Sequence, residues 1–400
     1  MEKWRTSDWW TSPYNYMEKV RAALELPGEV QIHDATLRDG EQTPGVVLRK
    51  EDKVRIAREL DAFGVDRIEA GMPAVSEEDA EAVRAIAALG LNAKVMCFSR
   101  ALVSDIELAD KCGADGVVIE VPIGEPKLVH QFNWTVSEVL ERSIQAIRRA
   151  RELGLYTVYF PYDTTRSRPE ALEELLSNVM REAPPDSIGV VDTTGCAIPE
   201  AITYLVRYVR ELTGLPVEIH THNDLGLGVA NALSAVAAGA EVVHTCINGM
   251  GERTGNAALE EVALCLVALY GYKNRFNLEK LTEISELVQS LTGFKLAPNK
   301  PIVGKGNFIR ESGIGADLVI KFPLAMFSLN PSLVGQRPRV VLGKKSGQLS
   351  IRLKLEELGL GDLDQTQMRQ VLAEVKRRGI EKGGLVSDEE FAELVEQVRR

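Results

Sequence analysis

The chain of 400 residues contains only five histidines and five cysteines. No two cysteines have the C-x-x-C spacing of redox and zinc motifs, so we expect reduced, mostly buried thiols in a cytoplasmic protein. No run of 18 apolar residues is present, which argues against a transmembrane helix. The N-terminal segment lacks the apolar stretch of a signal peptide.

The chain also has fewer positively charged than negatively charged residues. The 58 acidic residues outnumber the 47 lysines and arginines, which gives a formal net charge of −11. This balance argues against nucleic acid or an anionic membrane as the main partner. A glycine-rich dinucleotide turn is missing after the first predicted strand, which disfavours an open doubly wound sheet.

The sequence is rich in short Val- and Ile-containing runs that alternate with longer helical patterns. Eight runs are predicted as strands, at 32–37, 67–72, 94–99, 116–121, 156–161, 187–193, 217–222 and 241–247. Repeated βα units form parallel sheets with right-handed crossovers. Eight of them suit an α/β fold in which the strands close into a (β/α)8 TIM barrel.

Three domains are predicted. An aromatic N-terminal arm covers 1–28, the barrel covers 29–277, and a small, mainly helical C-terminal subdomain covers 278–400. The density of Trp and Tyr in the arm suggests that it packs on a partner subunit or on the barrel mouth. In the subdomain, Ser387 followed by Glu390 predicts a capping box at the start of the last helix.

Two of the five histidines, His220 and His222, stand one residue apart in the seventh predicted strand. Side chains two apart on a strand face the same way, and the C-terminal ends of barrel strands carry the chemistry of TIM-barrel enzymes. Together with carboxylates from other strands, two imidazoles would form a divalent metal site. The alternative is that one histidine belongs to the core and the other faces solvent.

The end of the first strand and the segment after the eighth strand supply further polar groups. Asp39 could complete a metal shell, and Arg38 could polarise a carbonyl group or stabilise a developing oxyanion. Asn256 or Glu252 could offer another oxygen to the metal. Such groups are costly to bury at a barrel mouth unless they are used.

Four segments of the chain resemble the motifs of one enzyme family. The segments HDATLRDGEQTPG, HTHNDLGLG, NGMGERTGNAALEE and VVLGKKSG are similar to those of the metal-dependent Claisen-type acyltransferases. This family includes the isopropylmalate, citramalate and homocitrate synthases, and the resemblance is greatest to the homocitrate synthases of nitrogen-fixing bacteria. It covers roughly 30–350 and implies a (β/α)8 barrel with C-terminal subdomains in a homodimer.

The resemblance also implies a reaction, in which an acyl-CoA, here acetyl-CoA, condenses with a 2-oxo acid to give a 2-hydroxy diacid. The implied cofactor is a divalent metal ion, and mixed nitrogen and oxygen ligands suit Mg, Mn, Co or Zn. The implied metal ligands are Asp39, His220 and His222, with Asn256 at or near the shell. The implied pocket residues are Arg38 beside the ketone oxygen of the 2-oxo acid, Gln42 and Glu69.

The sequence departs from the family in the C-terminal region and after the fourth strand. Gly315 stands where the family has its proton-abstracting histidine, and Lys345 replaces the histidine of a later motif. The family tyrosine is not found, Phe327 lying near its place, and Val129 stands where an arginine would grip a distal carboxylate. A glycine cannot accept a proton, so the usual general base is missing.

Several residues are candidates to replace that base, namely His130, Lys345, His244 and Tyr162. We assign His130 to catalysis together with Arg38 and Glu69, and expect His244 to be a hydrogen-bonded core histidine. Arg166 is assigned to binding of a substrate carboxylate, with a surface salt bridge as the alternative.

Two other functions remain open at this point. Hydroxymethylglutaryl-CoA lyase and related aldolases resemble the chain in the L-R-D-G and H-x-H segments, and loss of the family histidine favours a lyase that cleaves a hydroxy acid or its CoA ester. A catalytically inactive barrel that serves as a binding subunit is disfavoured because Arg38, Asp39, His220 and His222 are all present.

Overall fold

The computed structural model describes residues 2–400, which divide into two compact units. One unit contains residues 14–296, and the other contains residues 2–13 together with 297–400. Within the described residues, every helix is too short or too polar to cross a bilayer.

The larger unit is a closed barrel of eight parallel strands in sequence order, which confirms the predicted fold class. The strands are β1 Gln31–Asp34, β2 Arg67–Gly71, β3 Lys94–Arg100, β4 Gly116–Pro122, β5 Tyr156–Tyr162, β6 Ser187–Asp192, β7 Val217–Thr221 and β8 Val242–Thr245. Strand β8 pairs in parallel with β1 and so closes the barrel, with His33 opposite His244.

A helix follows each strand, as the βα alternation predicts. The helices are α1 Glu18–Arg21, α2 Lys50–Phe63, α3 Glu77–Ala87, α4 Val103–Lys111, α5 Val136–Glu152, α6 Pro169–Glu182, α7 Pro199–Thr213, α8 Gly228–Ala237, α9 Leu259–Ala268 and α10 Leu281–Thr292, of which α1 and α10 are additional helices of this unit. Helix α2 shows the pattern, because its buried residues include Ile56, Leu60 and Phe63 at helical spacing.

Apolar side chains fill part of the barrel interior. Met96, Phe98, Val118, Val158 and Phe160 form part of one buried cluster there. Their alternation along β3, β4 and β5 shows which side chains of each strand point inward. The packing leaves no room at Gly189 of β6, where an added Cβ would lie 2.7 Å from the Phe160 ring.

The smaller unit is mainly helical. Its elements are β9 Ile309–Arg310, α11 Ala316–Lys321, β10 Arg339–Val340, α12 Gln348–Glu357, α13 Gln365–Lys382 and α14 Asp388–Arg399. Strands β9 and β10 pair in parallel, and α12, α13 and α14 enclose a core that includes Ile351, Val375 and Phe391. The predicted capping box is confirmed, because Ser387 Oγ accepts from Glu390 N at 3.2 Å and Glu390 Oε2 accepts from Ser387 N at 2.7 Å.

The boundaries between the two units differ from the predicted domain boundaries. Helix α10 packs against α2 and so belongs to the barrel unit, which extends to Leu296. The predicted arm is shared between the units. Trp10 N donates to Ser328 O at 2.9 Å in the smaller unit, whereas Tyr16 Oη donates to Ala268 O at 3.1 Å in the larger unit.

Candidate active site

The polar residues predicted from three strand ends come together at the carboxyl end of the barrel. After β1, Ala35 O accepts from the backbone N–H groups of Arg38 and Asp39, and this turn places both side chains at the barrel mouth. His220 lies in β7, and His222 follows that strand directly. An isolated bridge between His222 and Asn256 brings the segment after β8 to the same place.

Asp39, His220 and His222 form a compact set of three donors. His220 Nε2 lies 3.2 Å from His222 Nε2 and 3.5 Å from Asp39 Oδ2, and His222 Nε2 lies 3.9 Å from the same oxygen. All three side chains are buried. One ligand atom from each lies within 4.8 Å of the others, as the ligands of a single cation do.

The electrostatics of this cluster fit a divalent cation. Burial and the neighbouring His222 lower the pKa of His220 well below its usual value, and burial also lowers the pKa of His222. Both imidazoles are therefore neutral near pH 7 and can offer a nitrogen lone pair. Asn256 Nδ2 donates to Asp39 Oδ1 at 2.8 Å, and Asn256 Oδ1 is buried without a protein partner in the described chain. Imidazole nitrogen, carboxylate oxygen and amide oxygen together form a suitable set of ligands for a divalent cation.

Arg38 is held from two sides beside this cluster. Its Nε donates to Glu69 Oε1, and its Nη1 donates to Asp39 Oδ2 at 2.9 Å. The guanidinium carbon lies 3.9 Å from the centre of the Phe98 ring. Arg38 Nη2 is buried and has no hydrogen-bond partner within residues 2–400, so one donor of a rigid fork is free for an oxygen of a ligand.

Glu69 connects Arg38 to the barrel interior. Its Oε2 accepts from His33 Nε2 at 2.9 Å, and the side chain is fully buried. Burial alone raises the pKa of Glu69, but the charge of Arg38 and the contact with His33 outweigh it and lower the pKa to about 2. Glu69 is therefore an anion at neutral pH, and its fixed charge orients Arg38.

A cavity of about 730 Å³ opens at this end of the barrel. Among the residues predicted for the site, those that line it are Arg38, Asp39, Gln42, His220 and His222. Glu69 and Asn256 lie behind the wall and reach the site through Arg38 and Asp39. A volume of this size is typical of small-molecule sites.

Two further predicted site residues, Arg166 and His130, are also absent from the cavity lining. Arg166 forms a double hydrogen bond with Asp163, at 2.8 and 2.7 Å, which is the ion pair given above as the alternative. His130 lies in a π-helical turn, Lys127–Phe132, and its side chain is exposed. Their assignments to substrate binding and catalysis stay predictions.

The other candidate bases have specific environments. His244 is buried and donates from Nε2 to Glu218 Oε2 at 2.8 Å, which confirms it as a hydrogen-bonded core histidine. Lys345 pairs with Glu311 at 3.1 Å. Tyr162 lines the cavity, but burial raises the pKa of its hydroxyl far above its usual value. Gly315 has a φ of +70°, a backbone conformation that disfavours any side chain.

Several charged groups of the cavity wall were not predicted from the sequence, among them Glu120 and Lys127. Glu120 is the one charged residue in the apolar run GVVIEV of the fourth strand. It has the same parity along β4 as Val118, a residue of the interior cluster. That parity, together with a charge in an otherwise apolar strand, was the signal that could have found Glu120.

A closed parallel barrel with a cavity and a polar cluster at the carboxyl ends of its strands defines a TIM-barrel enzyme. Residues 29–288 match the family described as HMGL-like, and residues 302–383 match the homocitrate synthase post-HMGL domain-like family. The chain therefore belongs to the homocitrate, isopropylmalate and citramalate synthases within the HMGL-like family and is an acyltransferase.

Individual relatives span nearly the whole chain. Homocitrate synthase AksA of Methanopyrus kandleri is 41% identical over 97% of this chain and 96% of its own length. The 2-isopropylmalate synthase of Methanocaldococcus jannaschii is 40% identical over 96% of this chain and 74% of its own length. Among solved structures, hydroxymethylglutaryl-CoA lyase from Pseudomonas aeruginosa matches with a TM-score of 0.61 at 20% identity, covering 70% of this chain and 98% of that one. The last match shows the barrel fold alone.

Proposed function

We propose that the protein condenses acetyl-CoA with a 2-oxo acid to give a 2-hydroxy diacid, and that it needs a divalent metal ion. The observation that carries the proposal is the buried cluster of Asp39, His220 and His222 beside the unpartnered Nη2 of Arg38. Asn256 would join the metal shell through its unpartnered Oδ1. When bound, the metal ion supplies a Lewis acid for the ketone and carboxylate oxygens of the 2-oxo acid.

The residues around the metal site have separate tasks in this proposal. Arg38 Nη2 donates a hydrogen bond to the ketone oxygen and stabilises the negative charge that develops there as the carbon–carbon bond forms. Glu69 keeps the guanidinium in place through Nε, and Asp39 does so through Nη1. Gln42 lines the same cavity and offers an amide to a substrate carboxylate. The fixed position of Arg38 lowers the cost of reorganisation during the reaction.

Relatives at 41% and 40% identity bear the names homocitrate synthase and 2-isopropylmalate synthase, which supports condensation over cleavage. The second match, over residues 302–383, supports the same choice. A lyase that cleaves a hydroxy acid remains the alternative, because Gly315 stands where the resemblance implies a histidine. We also keep the homodimer as a proposal, to be tested by light scattering of the full chain.

The function is tested by release of free CoA from purified, metal-loaded protein. Acetyl-CoA and other short acyl-CoAs are paired in turn with pyruvate, oxaloacetate, 2-oxoglutarate and 2-oxoisovalerate. We expect CoA release that depends on one 2-oxo acid and disappears after treatment with a chelator. Absence of release with every pair, in protein that holds metal, would contradict the synthase and favour the lyase, which is then assayed with hydroxyacyl-CoA esters.

A second test concerns the guanidinium beside the metal cluster. Arg38→Lys should lower kcat/KM for the 2-oxo acid by about 100-fold, since a single ammonium cannot keep both carboxylate contacts and still donate to the substrate. Arg166→Lys is the matched comparison, because Arg166 pairs with Asp163 and does not line the cavity. A loss as large as that of Arg38→Lys would support the predicted contact of Arg166 with the substrate carboxylate, whereas a change of less than about threefold would leave Arg166 only its ion pair with Asp163.

A further inference from the structure

The cavity wall contains five acidic side chains, and four of them have partners. Those four are Asp39 with Arg38, Glu41 with Lys53, Asp79 with Lys53, and Glu252 with Arg253. The fifth is Glu120, whose side chain forms no hydrogen bond or ion pair with any other residue of the described chain, 2–400. Among the described residues that line this cavity, Glu120 is therefore the acidic side chain that no protein partner stabilises by a hydrogen bond or an ion pair.

Glu120 is placed in the cavity by the strand that carries it. It lies in β4, where its register partners are Arg100 of β3 and Phe160 of β5. Its side chain points inward with the alternation that also directs Val118 into the interior cluster. A carboxylate at such a place is destabilising unless it interacts with a substrate or with a charge.

The electrostatic surroundings of Glu120 suit proton transfer. Burial is the largest influence and raises its pKa, while the charge of Arg38 opposes the rise, and the result is about 7. A general base works best when its pKa lies near the working pH, so that the base form is populated and still accepts a proton readily. Perturbed carboxylates of this kind are found preferentially at functional sites.

The other groups in the cavity are poorly suited to accept a proton. The Tyr162 hydroxyl stays protonated, because burial raises its pKa. His220 and His222 direct their Nε2 atoms at one another and at Asp39, where a metal ion is proposed. The remaining basic groups of the wall are cationic lysine and arginine side chains.

We propose that Glu120 is the catalytic base that takes the place of the histidine missing at Gly315, an inference that rests on the proposed condensation. The Glu120 carboxylate accepts a proton from the methyl carbon of acetyl-CoA as that C–H bond breaks. The electron pair released forms the new bond to the ketone carbon of the 2-oxo acid, and the carbonyl electrons move to its oxygen. Glu120 then returns the proton to this oxygen, which balances the step and leaves a thioester to be hydrolysed by water.

The proposal is tested with Glu120→Gln, which keeps the size of the side chain and removes its basicity. In the metal-loaded full chain, kcat should fall by about 100-fold or more. The KM for the 2-oxo acid and the metal content per chain should remain close to those of the unaltered protein. Glu120→Asp should recover part of kcat and, with acetyl-CoA deuterated at its methyl group, should show a larger isotope effect on kcat/KM than the unaltered protein.

A matched control is available in the loop after the same strand. Glu125 pairs with Arg168, is exposed, and is not among the residues lining the cavity, so Glu125→Gln should leave kcat within about twofold. Thermal unfolding of each variant shows whether a loss of activity comes from a loss of fold.

Three results would overturn the assignment of Glu120. The first is a kcat of Glu120→Gln within about fivefold of that of the unaltered protein. The second is a change in the KM of Glu120→Gln with no change in its kcat. The third is a loss of bound metal from Glu120→Gln, which would make Glu120 a metal ligand. An unaltered protein that releases no CoA with any substrate pair overturns the proposed condensation, and the assignment of Glu120 with it. The two failures are distinguishable, because in the first the unaltered protein is active.

Discussion

His222→Ala is expected to bind the divalent ion at least about 100-fold more weakly than the unaltered protein and to release no measurable CoA. The imidazole supplies one of three donors that lie within 4.8 Å of one another. Changes in groups that merely support metal ligands typically cost 10- to 100-fold in affinity, so removal of a ligand should cost more. Metal content after dialysis, measured by mass spectrometry, and CoA release measured on the same samples test both parts of this expectation.

The control for this prediction uses the unaltered protein. Treatment with a chelator should remove its activity, and addition of a divalent ion should restore it, whereas His222→Ala should not recover at the same metal concentration. The circular dichroism spectrum should be unchanged, because His222 lies just beyond the end of β7. Retention of metal and of activity by the variant would exclude the cluster of Asp39, His220 and His222 as the metal site.

The barrel and its donor cluster could be predicted because both depend on local patterns. Each βα unit carries its own apolar run and helical pattern, as β1 at Gln31–Asp34 and α2 at Lys50–Phe63 show. His220 and His222 share a face because of strand parity alone, and Asp39 reaches them because all barrel strands end at one face.

Contacts that depend on the conformation of a turn or on strand register were not predictable in the same way. The pairing of Arg166 with Asp163 follows from a turn in which Asp163 has a φ of +63°, which the sequence YDTTRS does not reveal. The stacking of His33 on His244, with ring centres 4.1 Å apart, requires that β8 close against β1 in one register. Glu120 differs from these contacts, because its place as the single charge of an apolar run and its parity with Val118 are both visible in the sequence.

Glu218→Gln is expected to lower the free energy of unfolding by about 3–5 kcal/mol. Glu218 is fully buried, and its carboxylate accepts from Arg67 Nη1 at 2.7 Å and from His244 Nε2 at 2.8 Å. Ser187 Oγ donates to the same carboxylate at 2.6 Å. The variant leaves the charge of Arg67 inside the barrel with only neutral partners, Gln31 and Tyr156. Removal of one member of a buried ion pair is costly because the remaining charge stays desolvated.

The pH dependence of this loss has a definite sign. Burial alone would raise the pKa of Glu218, but the charge of Arg67 and the hydrogen bond from His244 outweigh it and lower the pKa below its ordinary value of 4.5. A carboxylate with a lowered pKa stabilises the fold above its unfolded pKa and loses that contribution as the pH falls. The difference between the unaltered protein and Glu218→Gln should therefore be complete above about pH 4.5 and shrink by about 1.4 kcal/mol per pH unit below it.

Urea unfolding at a series of pH values from 7 to 3.5 measures this difference, with Glu81→Gln as the matched control. Glu81 also pairs with a cation, Lys50, but both side chains are exposed, so its removal should change the unfolding free energy little at any pH. Equal losses for Glu218→Gln and Glu81→Gln would contradict the prediction. The expected contrast would instead show that the ion pair of Glu218 with Arg67 stabilises the barrel wall that holds the cluster of Asp39, His220 and His222, because His220 lies two residues from Glu218 on the same face of β7.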